Sequence, residues 1–155
     1  MSCEGCGVTD RRGFLAALAL AVPAFALPVK AIAAIISGGD QVAYPVPAAD
    51  GAYIDRDAQV ILVRWQNTGY AFALSCPHQN TALRWREEDK RFQCPKHKSK
   101  YRPDGTFIEG RATRGMDRYH IELAEQQLVV DKTRMYKQDV NAAEWQHAFV
   151  ALGEK

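Results

Sequence analysis

The sequence predicts a mainly β, antiparallel domain that ends in one short helix. Three observations carry this expectation. Runs of β-branched and aromatic residues recur along the chain, turn residues fill most of the gaps between them, and helical spacing of apolar side chains appears only near the C-terminus. With 155 residues, 47% hydrophobic and 25% charged, the chain has the composition of one globular domain. A formal net charge of +2, without a lysine- or arginine-rich helix, argues against a nucleic-acid binder.

In chain order, residues 1–36 read as a targeting segment. Thr9-Asp10-Arg11-Arg12-Gly13-Phe14-Leu15 precedes an Ala/Leu/Val run to Val22, then Pro23 and the small-residue triplet Ala24-Phe25-Ala26. That order of charged, apolar and small segments is a signal peptide, and the adjacent arginines resemble a twin-arginine leader, which implies a periplasmic location or one on the outer face of the cytoplasmic membrane. Cleavage after Ala26 is favoured, because Pro23, Pro28 and Lys30 interrupt the stretch of about 20 apolar residues that a spanning helix needs. Membrane association through residues 14–36 stays open, since apolar character continues to Ile36. Cys3 and Cys6 form a Cys-x-x-Cys that cleavage would leave behind.

Residues 37–51, with Gly38, Gly39, Pro45 and Pro47, read as an extended linker, and the domain itself is expected over 52–131. Val60 to Trp65 and Tyr70 to Leu74 form a hairpin around Asn67-Thr68-Gly69, which delivers the chain to Cys76. Leu83-Arg84-Trp85 and Arg91-Phe92-Gln93 form a second hairpin around Glu87 to Lys90, leading to Cys94. Pro103-Asp104-Gly105 is a turn, and Tyr119 to Leu123 with Leu128 to Val130 makes a third hairpin across Glu125-Gln126-Gln127. Residues 132–155 form a helical extension: Asn141 caps, Trp145, Ala148, Phe149 and Leu152 make the apolar stripe, and Gly153 ends it.

The chemistry lies in Cys76-Pro77-His78, fifteen further residues, and Cys94-Pro95-Lys96-His97. Two thiolates and two imidazoles supply the four protein ligands of a 2Fe-2S cluster in which histidine replaces cysteine on one iron. Structural zinc also takes Cys2His2, but usually with its cysteines spaced Cys-x(2 to 4)-Cys and its histidines together. His120 and His147 stand outside this pattern and read as structural or surface residues. No serine-histidine-acid set, glycine-rich phosphate loop or carboxylate-pair motif suggests catalysis by the chain alone.

At these residues the sequence resembles the Rieske family, whose motif is Cys-x-His, about sixteen residues, then Cys-x-x-His. The resemblance covers approximately Ala52 to Asp131 and includes Phe92, Ser99, Tyr101 and the Asp104-Gly105 turn. It implies a three-layer antiparallel Rieske-type β-sandwich or barrel with a small cluster-binding subdomain and one 2Fe-2S cluster. Cys76 and Cys94 would hold the inner iron, and His78 and His97 the outer one. It further implies that Ser99 and Tyr101 donate to sulfur and raise the potential, the alternative being a turn hydroxyl and a packed ring. Two departures from the respiratory branch of the family stand out. Thr81 and Lys96 occupy the places of that branch's disulfide cysteines, and Gly110-Arg111-Ala112-Thr113 replaces its proline-rich loop.

From Arg84 to Arg118 there are eleven lysines and arginines against six acidic residues, with Lys96, Lys98, Lys100 and Arg102 in or beside the second cluster loop. A basic face there would favour an acidic electron-transfer partner. The first functional reading is therefore one-electron transfer by an exported subunit or carrier serving a redox complex, of the quinol:cytochrome c or exported-oxidase type. A ferredoxin feeding an oxygenase and a structural zinc module are the alternatives.

Overall fold

In the computed structural model, which describes residues 40–153, the apolar runs become strands and the turn residues between them reverse the chain. The targeting segment with Cys3 and Cys6 lies outside the described residues. Among those described, no helix is long and apolar enough to cross a membrane.

Eleven strands are β1 (Gln41–Pro45), β2 (Gly51–Asp55), β3 (Val60–Trp65), β4 (Thr68–Ala73), β5 (Arg84–Arg86), β6 (Arg91–Gln93), β7 (Lys100–Tyr101), β8 (Phe107–Glu109), β9 (Arg118–Ala124), β10 (Gln127–Tyr136) and β11 (Val150–Ala151). One helix, α1 (Ala142–His147), precedes β11. A seven-stranded antiparallel sheet runs β1-β10-β9-β4-β3-β2, with β11 added beside β4. A separate four-stranded antiparallel sheet, β5-β6-β7-β8, carries the second cysteine motif.

Strand β3 explains how the two sheets share one interior. Its side chains alternate with period two. Ile61 and Val63 enter one core with Phe72, Leu74, Phe92 and Tyr101, whereas Val60 and Leu62 enter another with Ile121, Leu128 and Val130. All four β3 residues are at most 2% exposed, so the strand is a middle layer covered on both faces. The first core is the one that also contains Cys76 and Cys94.

Several expectations are corrected in detail. The first hairpin turns one residue early, at Gln66-Asn67, where both residues are left-handed (φ 49° and 57°). Paired left-handed residues match the twist of the flanking strands, and β4 can therefore start at Thr68. The lead-in is not wholly extended linker, because Gln41–Pro45 pairs with the free edge of β10. The C-terminal helix stops at His147 instead of running to Leu152. Beyond it, Val150 and Ala151 pair with Gly69 and Thr68, a stretch of β4 that β9 leaves open because β9 meets β4 only at Phe72. Satisfying an open sheet edge outweighs the five further helical residues, 148–152, and Phe149, assigned to the helix stripe, is 44% exposed. Asn141 flanks the helix without a side-chain cap bond.

Candidate metal centre

Each cysteine begins a six-residue loop at the end of a hairpin, and the two loops share one backbone scheme. In the first, the Cys76 amide donates to the Thr81 carbonyl and the Asn80 amide to the Cys76 carbonyl, both at 2.9 Å. In the second, the Cys94 amide donates to the Ser99 carbonyl and the Lys98 amide to the Cys94 carbonyl, again at 2.9 Å. The fifth residue of each loop is left-handed, Asn80 at φ 51° and Lys98 at φ 57°. The histidines break the match: His78 is the third residue of its loop and His97 the fourth.

This offset brings the imidazoles together. Nδ1 of His78 lies 3.1 Å from Nδ1 of His97, with ring centroids 4.7 Å apart and planes at 81°. Two nitrogens bound at about 2.1 Å to one ion, about 95° apart, would have that separation. Both rings are half-buried, while Cys76 and Cys94 are fully buried free cysteines on the core side. His97 is held more weakly basic than an ordinary histidine by desolvation, then by the positive charges of His78, Lys96 and Arg111. A neutral imidazole is the form that ligates metal.

The donors fall into two pairs, the cysteines on the core side and the histidines outside them. A buried sulfur pair behind an outer nitrogen pair suits a 2Fe-2S group in which each iron takes two protein ligands.

Two buried hydroxyls follow the second cysteine, and one of them reaches a sulfur. Tyr101 is fully buried, its Oη 3.2 Å from Cys76 Sγ. Burial, and then the hydrogen bond and charge of Cys76, push its phenol well above the usual range, so it stays protonated and able to donate to a thiolate. Ser99, also fully buried, accepts hydrogen bonds on Oγ from the Arg111 and Ala112 amides, each at 3.1 Å. With both lone pairs used, the serine proton is free to point elsewhere. Gly110 makes this contact: at φ 119°, a Cβ there would lie 2.4 Å from the Ser99 Cα.

Sequence reasoning missed those amides and the anchoring behind them. The Gly110-to-Thr113 stretch was singled out only as standing in place of a proline-rich loop, and nothing in its side chains marked the backbone amides that reach Ser99. Lys100, expected on the basic face, is paired with Glu109 instead. Lys96, Lys98 and Arg111 are exposed and have no ion pair among the described residues. His120 lies in β9, and His147 ends α1 with Nδ1 2.8 Å from the Ala143 carbonyl. Neither histidine belongs to the pair formed by His78 and His97.

Residues 49–120 match the family model of the Rieske [2Fe-2S] domain. The cytochrome b6-f complex iron-sulfur subunit 1 of Synechocystis sp. is 32% identical over 56 residues, which are 36% of this chain and 32% of that one. The chloroplastic cytochrome b6-f complex iron-sulfur subunit of Bigelowiella natans is 34% identical over 53 residues, 34% of this chain and 21% of that one. The chain thus spans a third or less of the curated relatives it matches. Among solved structures, the plasma membrane Rieske protein PetC3 of Synechocystis PCC 6803 superposes with a TM-score of 0.43 at 18% identity, covering 59% of this chain and 86% of that one.

Proposed function

We propose that this chain, which carries a Rieske [2Fe-2S] domain in residues 49–120, is an exported one-electron carrier of a membrane-side redox complex. Cys76 and Cys94 would hold one iron, and His78 and His97 the other. The observation that carries the reading is the pairing of the two Nδ1 atoms 3.1 Å apart in front of two fully buried cysteines. When bound, such a group supplies one-electron redox chemistry, and its imidazole ligands place the potential in a range of about −150 to +300 mV.

The chain's own residues do the rest. The cysteines sit in the core among Phe72, Leu83 and Phe92, which exclude water from the sulfur side. The half-buried imidazoles give an electron a short path to a partner. Tyr101 offers a proton to the Cys76 sulfur, and Ser99 would offer a second to the bound group, which favours the more negative reduced state. Lys96, Lys98 and Arg111 flank the histidines and would steer an acidic partner, such as a cytochrome, towards them. Export is supported by the Arg11-Arg12 leader of the sequence.

Redox titration of the purified protein with electron paramagnetic resonance of the reduced state tests the assignment. A Rieske signal is expected, and zinc without labile sulfide would overturn it. Electron transfer to an acidic cytochrome at low salt should slow about tenfold in the Lys96→Glu/Lys98→Glu variant and converge with the unaltered protein as salt rises. An unchanged salt slope would remove the docking assignment.

A further inference from the structure

Beyond the two cysteine loops, the segment after β10 grips the loop that reaches Ser99. The side chain of Gln138 accepts a hydrogen bond from the Gly115 amide at 2.6 Å. One residue on, the Trp145 indole N–H donates to the Met116 carbonyl at 2.7 Å. Arg114 between Asp117 and Asp139 adds an ion pair across the same junction, its Nε 3.3 Å from Asp139. Gly115 is pressed so closely that a Cβ would lie 2.8 Å from Trp145 Cζ2 and 2.9 Å from the Gly105 carbonyl.

Trp145 is itself fixed from beneath. The Arg118 guanidinium, buried and without a carboxylate partner among the described residues, stacks 3.9 Å from its ring and donates to its carbonyl at 2.7 Å. Arg118 also donates to the Asp104 carbonyl at 2.6 Å, tying the β7–β8 turn to the same anchor. These contacts lie around residues 104–118, on the far side of a loop whose near side presents the Arg111 and Ala112 amides to Ser99. The segment from Gln138 to Trp145 falls outside the matched residues 49–120.

We propose that Gln138 and Trp145 are positioning residues: by clamping Gly115 and Met116 they hold the Arg111 and Ala112 amides on Ser99 Oγ, and so set the reduction potential of the centre. This rests on the reading of Cys76, His78, Cys94 and His97 as cluster ligands. With both lone pairs of Ser99 taken by the two amides, its proton is left for the remaining direction, which we assign to the sulfur of the bound centre. Loosening the clamp frees the hydroxyl to rotate, weakens that donation and makes reduction less favourable.

The test is the midpoint potential of Trp145→Phe, which keeps a ring over Arg118 but removes the N–H donor, and of Gln138→Leu. Each should lower the reduction equilibrium constant three- to tenfold, tenfold being about 59 mV for a one-electron couple, with the resonance signal retained. Should Trp145→Phe not fold, Gln138→Leu carries the test alone. Val150→Ala, which loosens β11 away from the loop, is the control. It should lower the melting temperature without moving the potential. An unchanged potential in both variants, or an equal shift in Val150→Ala, overturns the proposal. If the unaltered protein gives no Rieske signal, the ligand assignment itself fails and the clamp's redox role fails with it.

Discussion

The two cysteine loops are built on the same backbone pattern yet are supported differently. Cys76 to Thr81 closes on itself: its last residue is half-buried, and among the described residues the Thr81 hydroxyl reaches only the Gln79 carbonyl, two positions back, at 3.5 Å. Cys94 to Ser99 closes the same way, but its last side chain is fully buried and held by two amides from residues 111 and 112. The second loop also carries the exposed charges, Lys96 and Lys98, whereas the first carries none. The difference teaches that equivalent backbone geometry need not mean equivalent function. On the proposed reading, one loop would mainly supply ligands, while the other would also link the centre to the rest of the fold.

The largest way to break this comparison is at Gly110. An alanine there must enter a region L-residues disfavour and push against the Ser99 backbone, which is far less yielding than a side-chain end. Gly110→Ala should cost about 3 kcal/mol, measured by denaturant unfolding of the protein. Among the described residues, loop one has no comparable contact. A loss below about 1 kcal/mol would mean that the 110–112 strand of contacts is slack.

Next in size is Ser99→Ala against Thr81→Ala. Removing the serine oxygen leaves the Arg111 and Ala112 amides without their acceptor, and Ala112 is 5% exposed, so its amide has little water to replace it. The expected cost is about 2 kcal/mol together with a fall in midpoint potential. Thr81→Ala removes one weak, exposed bond and should stay within about 0.5 kcal/mol with the potential unmoved. Equal effects from the two substitutions would erase the distinction between the loops.

How much of this was legible depended on the range of the interaction. The ligand pattern is local in sequence, and each motif spans a few residues, so Cys76, His78, Cys94 and His97 could be singled out from spacing alone. Strand runs such as Val60 to Trp65 were legible for the same reason. What β3 buries on its two faces was not, because that depends on which strands pair beside it. The C-terminus shows the limit most clearly. Trp145, Ala148 and Leu152 fit a helical stripe and all three are buried, yet only Trp145 is in the helix, because an open stretch of β4 recruits Val150. The amides on Ser99 come from residues 12 and 13 positions away and belong to the backbone, which leaves no side-chain signature.

The smallest contrast concerns the left-handed residue that turns each loop. Asn80 and Lys98 adopt nearly the same φ, 51° and 57°, but asparagine tolerates the left-handed region through local hydrogen bonding, whereas lysine has no such compensation. Glycine relieves the strain at either position and at the same time raises the entropy of the unfolded chain by about 0.5 to 1 kcal/mol. For Asn80 the second effect should prevail, so Asn80→Gly is slightly destabilising. For Lys98 the relief is larger, about 1 kcal/mol, so Lys98→Gly should be neutral or slightly stabilising. Denaturant midpoints of the two variants, measured side by side, check the ordering. If Lys98→Gly is instead the more harmful by about 1 kcal/mol, the lysine stem contributes packing that its exposed position does not suggest, and the second loop is tied to its surroundings by more than Ser99.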